Sequence, residues 1–242
     1  MRLILIALMF LVRTPFYIDM KPTEKDFSGC TAYFPVVGIL LGILVSAVFY
    51  IVSLLGKDIA SLIALMVYVY VALGFHLDGL ADCVDGLASG TCGKDFVNIM
   101  KDSRVGTFAV ISIFMASAFY IKLFSYVDYR VLFTFPVAGR YSMTIMAALS
   151  RPARKEGLGY MFCNKAGIRE FIISTIITIA AGLFAMGVRF IFPAICAVIF
   201  ALIFIRSISS RMGGINGDAL GASLVLSEIT YLLVSYAQAV IL

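Results

Sequence analysis

The stretch Leu62-Ile63-Ala64-Leu65-Met66-Val67-Tyr68-Val69-Tyr70-Val71-Ala72-Leu73-Gly74-Phe75 runs without a charge straight into His76-Leu77-Asp78-Gly79-Leu80-Ala81-Asp82-Cys83-Val84-Asp85-Gly86. The first half needs an apolar surrounding, and the second half carries three acids. Asp78, Asp82 and Asp85 are spaced i, i+4, i+7, so a helix continued through this region stacks them on one face. Three like charges in a row repel, and the adjoining sequence offers no three cations to neutralise them. A hard divalent cation would do so: carboxylate oxygens suit Mg²⁺ or Mn²⁺, and Mg²⁺ shares its shell with substrate phosphates. The plainer alternative, acids that only solubilise a helix end, leaves their alignment at a membrane boundary unexplained.

The same alternation of apolar run and charged connection covers the whole chain. Of its 242 residues 62% are apolar and 14% charged, with a mean hydropathy of +1.04, against about 25% charged in soluble domains. That composition excludes a soluble globular domain and a disordered chain. It predicts an all-α, polytopic integral membrane helix bundle, one membrane-embedded catalytic domain over residues 1–242. Seven spans are expected near 35–55, 60–77, 106–126, 131–149, 171–188, 190–205 and 219–241. A short apolar N-terminal segment, near 3–18, is broken by Arg13, Thr14 and Pro15. It is too short for a clear assignment among spanning, re-entering and lying in the interface.

The net charge is +5. Lys and Arg in alternate connections number 13 on one side and 4 on the other, which puts the basic side in the cytoplasm. Eleven of the 14 carboxylates lie on that side too, so the expected active face of this multi-pass protein is the cytoplasmic face of the cell membrane. The bases are spread over connections rather than in one stripe, which argues against nucleic acid and for anionic lipid or phosphorylated substrates. The five cysteines form no CxxC and His76 is the only histidine, so zinc, haem and iron–sulfur chemistry has no support.

Three further motifs stand out. Met100-Lys101-Asp102-Ser103-Arg104-Val105-Gly106 precedes an apolar run; Lys101 and Arg104 suit phosphate oxygens, or flank a span with Asp102 or Ser103 as its cap. Arg151-Pro152-Ala153-Arg154-Lys155-Glu156-Gly157-Leu158-Gly159 is a basic, glycine-containing turn. Gly213-Gly214-Ile215-Asn216-Gly217-Asp218-Ala219-Leu220-Gly221-Ala222 opens the last helix, where glycine-rich backbone favours anions and Asp218 caps or binds metal. Arg140 and Glu228 fall inside apolar runs, where charges face a cavity or a partner, and are candidate substrate-binding residues. His76, two residues before the acids, would orient a carboxylate or donate to phosphate.

In this order the motifs resemble the cobalamin synthase (adenosylcobinamide-GDP ribazoletransferase) family. The matching stretches are Tyr33-Phe34-Pro35-Val36-Val37-Gly38, His76-Leu77-Asp78-Gly79-Leu80-Ala81-Asp82 with Asp85-Gly86, Ile99 to Gly106, Ala153 to Gly159 and Gly217 to Ala222. The pattern departs at Asn216, where Thr is usual, and at Cys83, where Thr or a small residue is. The resemblance implies a Mg²⁺-dependent membrane transferase that joins adenosylcobinamide-GDP to α-ribazole or its 5′-phosphate and releases GMP. On that reading Asp78, Asp82 and Asp85 hold Mg²⁺, and Lys101, Arg104 and Arg154 neutralise phosphate. Asp218 adds a ligand or orients the acceptor. Asp85, or else His76, takes the hydroxyl proton. Asp102, Ser103 and Asn216 belong to the substrate-binding set. Other late enzymes of cobamide assembly are the implied neighbours; the oligomeric state and the number of metal ions stay open.

Two other readings are weighed. The acid helix is similar to that of CDP-alcohol phosphotransferases, whose pattern Asp-Gly-x-x-Ala-Arg fails here because Asp82 follows Ala81. A cation transporter would place acids near the bilayer midplane, not at the ends of spans.

Overall fold

Apolar runs of this length leave their backbone no water to bond, so the chain satisfies it internally as helix. The computed structural model describes residues 1–13, 21–102 and 104–241. It contains helices α1 (Arg2–Leu11), α2 (Glu24–Cys30), α3 (Phe34–Val52), α4 (Lys57–Tyr68), α5 (Gly74–Ala88), α6 (Lys94–Met100), α7 (Thr107–Tyr126), α8 (Tyr129–Leu149), α9 (Gly157–Cys163), α10 (Ile168–Met186), α11 (Ile191–Met212) and α12 (Gly217–Ile241). Among the described residues there is no strand, only an isolated bridge between Pro152 and Ile215.

Among the described residues five helical stretches are long and apolar enough to cross a membrane: Glu24–Leu55, Lys57–Ala88, Thr107–Tyr126, Ile168–Met212 and Gly217–Ile241. The fourth turns back on itself. Gly187, at φ +59, ends α10, a 3-10 turn over Gly187–Phe190 follows, and α10 and α11 both lie against α8. Helix α8 is the least exposed element, with Arg140, Thr134 and Ser142 among its buried residues. Its partner α3 meets it through Gly38 and Gly42, where a β-carbon would stand 2.6 Å from the Pro136 carbonyl oxygen and 2.0 Å from that of Phe133. Small residues four apart bring two membrane helices this close.

Helices α4 and α5 form one continuous rod, joined by a π-helical turn at Val69–Leu73 in which Gly74 N donates to Val69 O. The Val71 carbonyl in that turn accepts from Arg13 N at 2.7 Å. This contact places the end of α1. Ten residues of helix extend about 15 Å, half a hydrocarbon core. The start of α1 is tied to the far end of its own loop, since Arg2 Nη2 reaches Asp26 Oδ2 at 3.0 Å and Lys21 O at 3.3 Å. These contacts hold the end of α1 against the α4–α5 rod and its start against Lys21 and Asp26. Residues 14–18 of the expected segment lie outside the described ones.

The connections gather at two ends. The turns around Ser53–Lys57 and Val127–Tyr129 share one end, together with Gly187 and the close of α12. The 89–106, 150–156 and 213–216 connections share the other, sewn together by Gly93 N to Arg211 O (2.7 Å), Ala153 N to Ile215 O (2.8 Å) and Ile215 N to Arg151 O (2.9 Å). This second end holds the four polar motifs.

Candidate active site

The acids of α5 keep the register that their spacing predicts. Asp78 is exposed, and Asp82 and Asp85 are half-buried. On the stripe flanking the acids Gly79 lets α12 close in: a β-carbon there would stand 2.7 Å from Asp218 O and 2.9 Å from Asp218 Cα. This contact delivers the first turn of α12 to the acid face, so Asp78, Asp82 and Asp218 lie within electrostatic range of one another. Asn216 sets the turn, accepting from Ala219 N at 2.9 Å and donating through Nδ2 to Asp218 Oδ2 at 2.7 Å. A threonine hydroxyl could cap in the same place, so the departure from the usual family residue preserves the geometry. Cys83, the other departure, is buried.

Beside Asp218 opens a cavity of about 400 Å³. Lys101 lines it from the end of α6, Arg154 and Glu156 from the basic turn, Tyr160 from α9, and Asn216 and Asp218 from the entry to α12. Two cations, two carboxylates and glycine backbone thus face one space large enough for part of a nucleotide-sized ligand. Arg104 is elsewhere at present. It grips Asp102 through Nε and Nη2, at 3.1 Å and 2.7 Å to Oδ2, with both side chains open to solvent. These bonds hold the Asp102 carboxyl far down, to about 2. Ser103 lies outside the described residues.

Four expected site residues are placed differently. Asp85 is already engaged: Oδ2 accepts from Gly106 N at 2.7 Å and Oδ1 from Ala109 N at 2.8 Å, so its carboxylate closes the start of α7. His76 lies about 200° around the helix from Asp78, buried against Gly221 of α12, and does not share the acids' face. Arg140 and Glu228 are not in the cavity. They pair with each other at 2.6 Å in the bundle interior, because a charge inside a span is tolerated when an opposite charge desolvates with it. Tyr68 donates to Glu228 Oε1 and Tyr120 to Oε2, each at 2.6 Å. Sequence reasoning missed both tyrosines, which look there like ordinary members of apolar runs, and it missed Glu156 and Tyr160 in the cavity wall.

A family model described as cobalamin-5-phosphate synthase matches residues 3–236. The chain belongs to that family. Proteins called adenosylcobinamide-GDP ribazoletransferase resemble it along nearly their whole length. The one from Geotalea daltonii is 32% identical over 237 residues, 96% of each chain. The one from Thermoanaerobacter pseudethanolicus is 34% identical over 242 residues, 95% of each chain, and that from Clostridium acetobutylicum is 32% identical over 246 residues, 98% of this chain and 96% of its own. No solved structure matches the chain.

For a member of the cobalamin-5-phosphate synthase family, the question is whether these side chains suit a divalent cation. Among the described residues no three His, Cys, Asp or Glu groups converge tightly enough to hold an ion by themselves. The donor set is nonetheless all carboxylate oxygen, from Asp78, Asp82 and Asp218, beside a cavity lined by Lys101 and Arg154. Mg²⁺ commonly takes only one or two carboxylates and completes its shell with water and substrate phosphate. The residues fit an ion of that kind, held in part by its substrate.

Proposed function

We propose that this chain is an adenosylcobinamide-GDP ribazoletransferase: it joins the activated corrinoid to α-ribazole or its 5′-phosphate and releases GMP. The observation that carries the reading is the cavity itself. Lys101, Arg154, Asn216 and Asp218, drawn from three separate sequence motifs, line it together next to the acid face of α5. The family membership and the names of the relatives support the same reading.

A hydroxyl of the ribazole ribose attacks the phosphorus nearer the corrinoid. The new O–P bond forms as the bond to the bridging oxygen breaks, and GMP leaves with that oxygen. Such transfers depend on alignment and charge neutralisation more than on covalent help. Lys101 and Arg154 bind the diphosphate, and Arg104, swinging from Asp102, adds a bidentate grip. Asn216 fixes Asp218 so that its carboxylate meets those of Asp78 and Asp82. Mg²⁺ held by Asp78, Asp82 and Asp218 would neutralise the diphosphate and the departing GMP. With Asp85 occupied at α7, proton acceptance falls to Asp82. His76, Arg140 and Glu228 support the bundle and do not touch substrate.

We further propose seven membrane crossings, by α3, the α4–α5 rod, α7, α8, α10, α11 and α12. Two observations support the count: α10 and α11 are separate helices of 19 and 22 residues, and α8, with 21 residues, is long enough though it is screened by its neighbours. The site end faces the cytoplasm by its excess of Lys and Arg.

The test uses purified protein in detergent with adenosylcobinamide-GDP, α-ribazole 5′-phosphate and Mg²⁺. Mass spectrometry should find GMP and complete cobamide phosphate in equal amounts. Absence of both from folded protein that instead consumes a CDP-activated lipid would overturn the reading in favour of a phospholipid synthase.

A further inference from the structure

Helix α7 starts without a capping side chain of its own. Its N-cap is Gly106, and Ala109, three residues on, carries no polar atom. The two N–H groups that a capping box satisfies, those of the N-cap and of the third helical residue, both go to Asp85 (Gly106 N at 2.7 Å, Ala109 N at 2.8 Å). One carboxylate on α5 thus does for α7 what two side chains of α7 would otherwise do, and its charge stands at the positive end of a 20-residue helix. The carboxylate occupies the place of the missing side chain: a β-carbon on Gly106 would stand 2.4 Å from Oδ2 and 2.5 Å from Oδ1.

Immediately before Gly106 runs the connection that carries Lys101 and Arg104. Its other end is seated on the same helix, where Phe96 and Met100 of α6 pack on Gly86, both 3.0 Å from a β-carbon position there. The connection is therefore fastened at both ends to neighbouring residues of α5, Asp85 and Gly86. The geometry points to Asp85 as a positioning residue for the transfer reaction. Through Gly106 and Ala109 it fixes the phosphate-gripping connection against the acid face, and it does not itself touch the reacting atoms. What the connection grips rests on the transferase reading; the fastening does not.

The test compares Asp85→Ala with the triple variant Asp85→Ala/Gly106→Ser/Ala109→Gln. The backbone at Gly106, φ −77 and ψ 165, admits serine, and the Ser-x-x-Gln pair rebuilds a capping box within α7 without returning a carboxylate to the spot. The readouts are tryptic cleavage after Lys101 and Arg104 in detergent-solubilised protein, and kcat and KM for adenosylcobinamide-GDP. Asp85→Ala should speed cleavage and raise KM about tenfold with a smaller change in kcat, the size of effect a lost cap carries. The triple variant should restore both. Asp85→Asn, which keeps one acceptor oxygen, should fall between and serves if Asp85→Ala does not fold. Cleavage of Asp85→Ala or Asp85→Asn at the wild-type rate would overturn the proposal. So would a triple variant whose connection is protected but whose kcat stays down by about a hundredfold or more, the size of effect a lost acid or base carries. Wild-type protein that makes no product would remove the transferase reading alone, with the cleavage comparison still deciding whether Asp85 fastens the connection.

Discussion

Arg140 and Glu228, 88 residues apart in the chain, meet at 2.6 Å with neither side chain open to solvent. Glu228 also accepts from the hydroxyls of Tyr68 and Tyr120, so α4, α7, α8 and α12 converge on one carboxylate. Such a pair contributes little net stability, because desolvation offsets much of the attraction. Losing one partner is costly, because the other charge is left buried alone.

Arg140→Met or Glu228→Ala should each lower stability by about 3–5 kcal/mol, read as a fall in the melting midpoint in detergent. Arg140→Met combined with Glu228→Leu should recover much of the loss, since no lone charge remains. Glu228→Gln in folded protein should leave KM for both substrates unchanged; a large rise would return Glu228 to the substrate site.

Gly79→Ala places a methyl group where the backbone of Asp218 now lies. Overpacking of this kind costs about 1–3 kcal/mol, and here it also moves α12 off the acid face. Activity should fall far more than the melting midpoint does. Gly221→Ala should be milder, because its nearest neighbour, His76 Cα, stands 3.2 Å from the new carbon.

The oxygen-only donor set predicts dependence on a hard cation. Activity should vanish with EDTA and return with Mg²⁺ or Mn²⁺. Asp82→Asn and Asp218→Asn should each shift the Mg²⁺ concentration needed for half-maximal rate upward by about tenfold or more, as loss of one charged ligand does, and Asp82→Asn should also lower kcat by about a hundredfold or more, as a lost base does. Full turnover of Asp82→Asn at wild-type Mg²⁺ would exclude Asp82 as a ligand.

The Arg104–Asp102 pair lies open to water, and its effect on stability should be slight. Arg104 holds the Asp102 carboxyl at about 2, below its value in an unfolded chain. The pair's contribution is therefore fully present at neutral pH and is lost progressively as pH falls from the ordinary carboxylate value of 3.8 to about 2. Arg104→Ala should leave the melting midpoint at pH 7 unchanged and raise KM for the GDP-activated corrinoid. A marked drop in that midpoint would show that Arg104 is structural.

The helical class and the acid register of α5 were legible because both follow from local periodicity. Arg140 and Glu228 were each conspicuous as charges within apolar runs, but their pairing was not, since it joins helices distant in the chain. The engagement of Asp85 was hidden for the same reason: its partners are backbone N–H groups 21 and 24 residues on, which carry no side-chain signature. A glycine opening a long apolar helix was the only local sign. Tyr68 and Tyr120 were invisible because a hydroxyl hardly alters an apolar pattern. The docking of α1 through Arg2 on Lys21 and Asp26 was hidden likewise, a contact that hydropathy does not encode.

The π turn at Val69–Leu73 sets the phase between the two halves of the α4–α5 rod. Upstream of it Tyr68 meets Glu228; downstream the aspartates face the cavity side and the start of α7. Each residue advances a helix by about 100° and 1.5 Å, and a π turn carries one more residue than its α equivalent. Deleting a single residue there would let the turn close as ordinary α-helix and keep Tyr68 and the aspartates in phase, whereas deleting one residue from the regular helix on either side would rotate the acid face by about 100°. The rod is a shaft with one spare link, and the angle of its acid face survives the loss of that link and of no other.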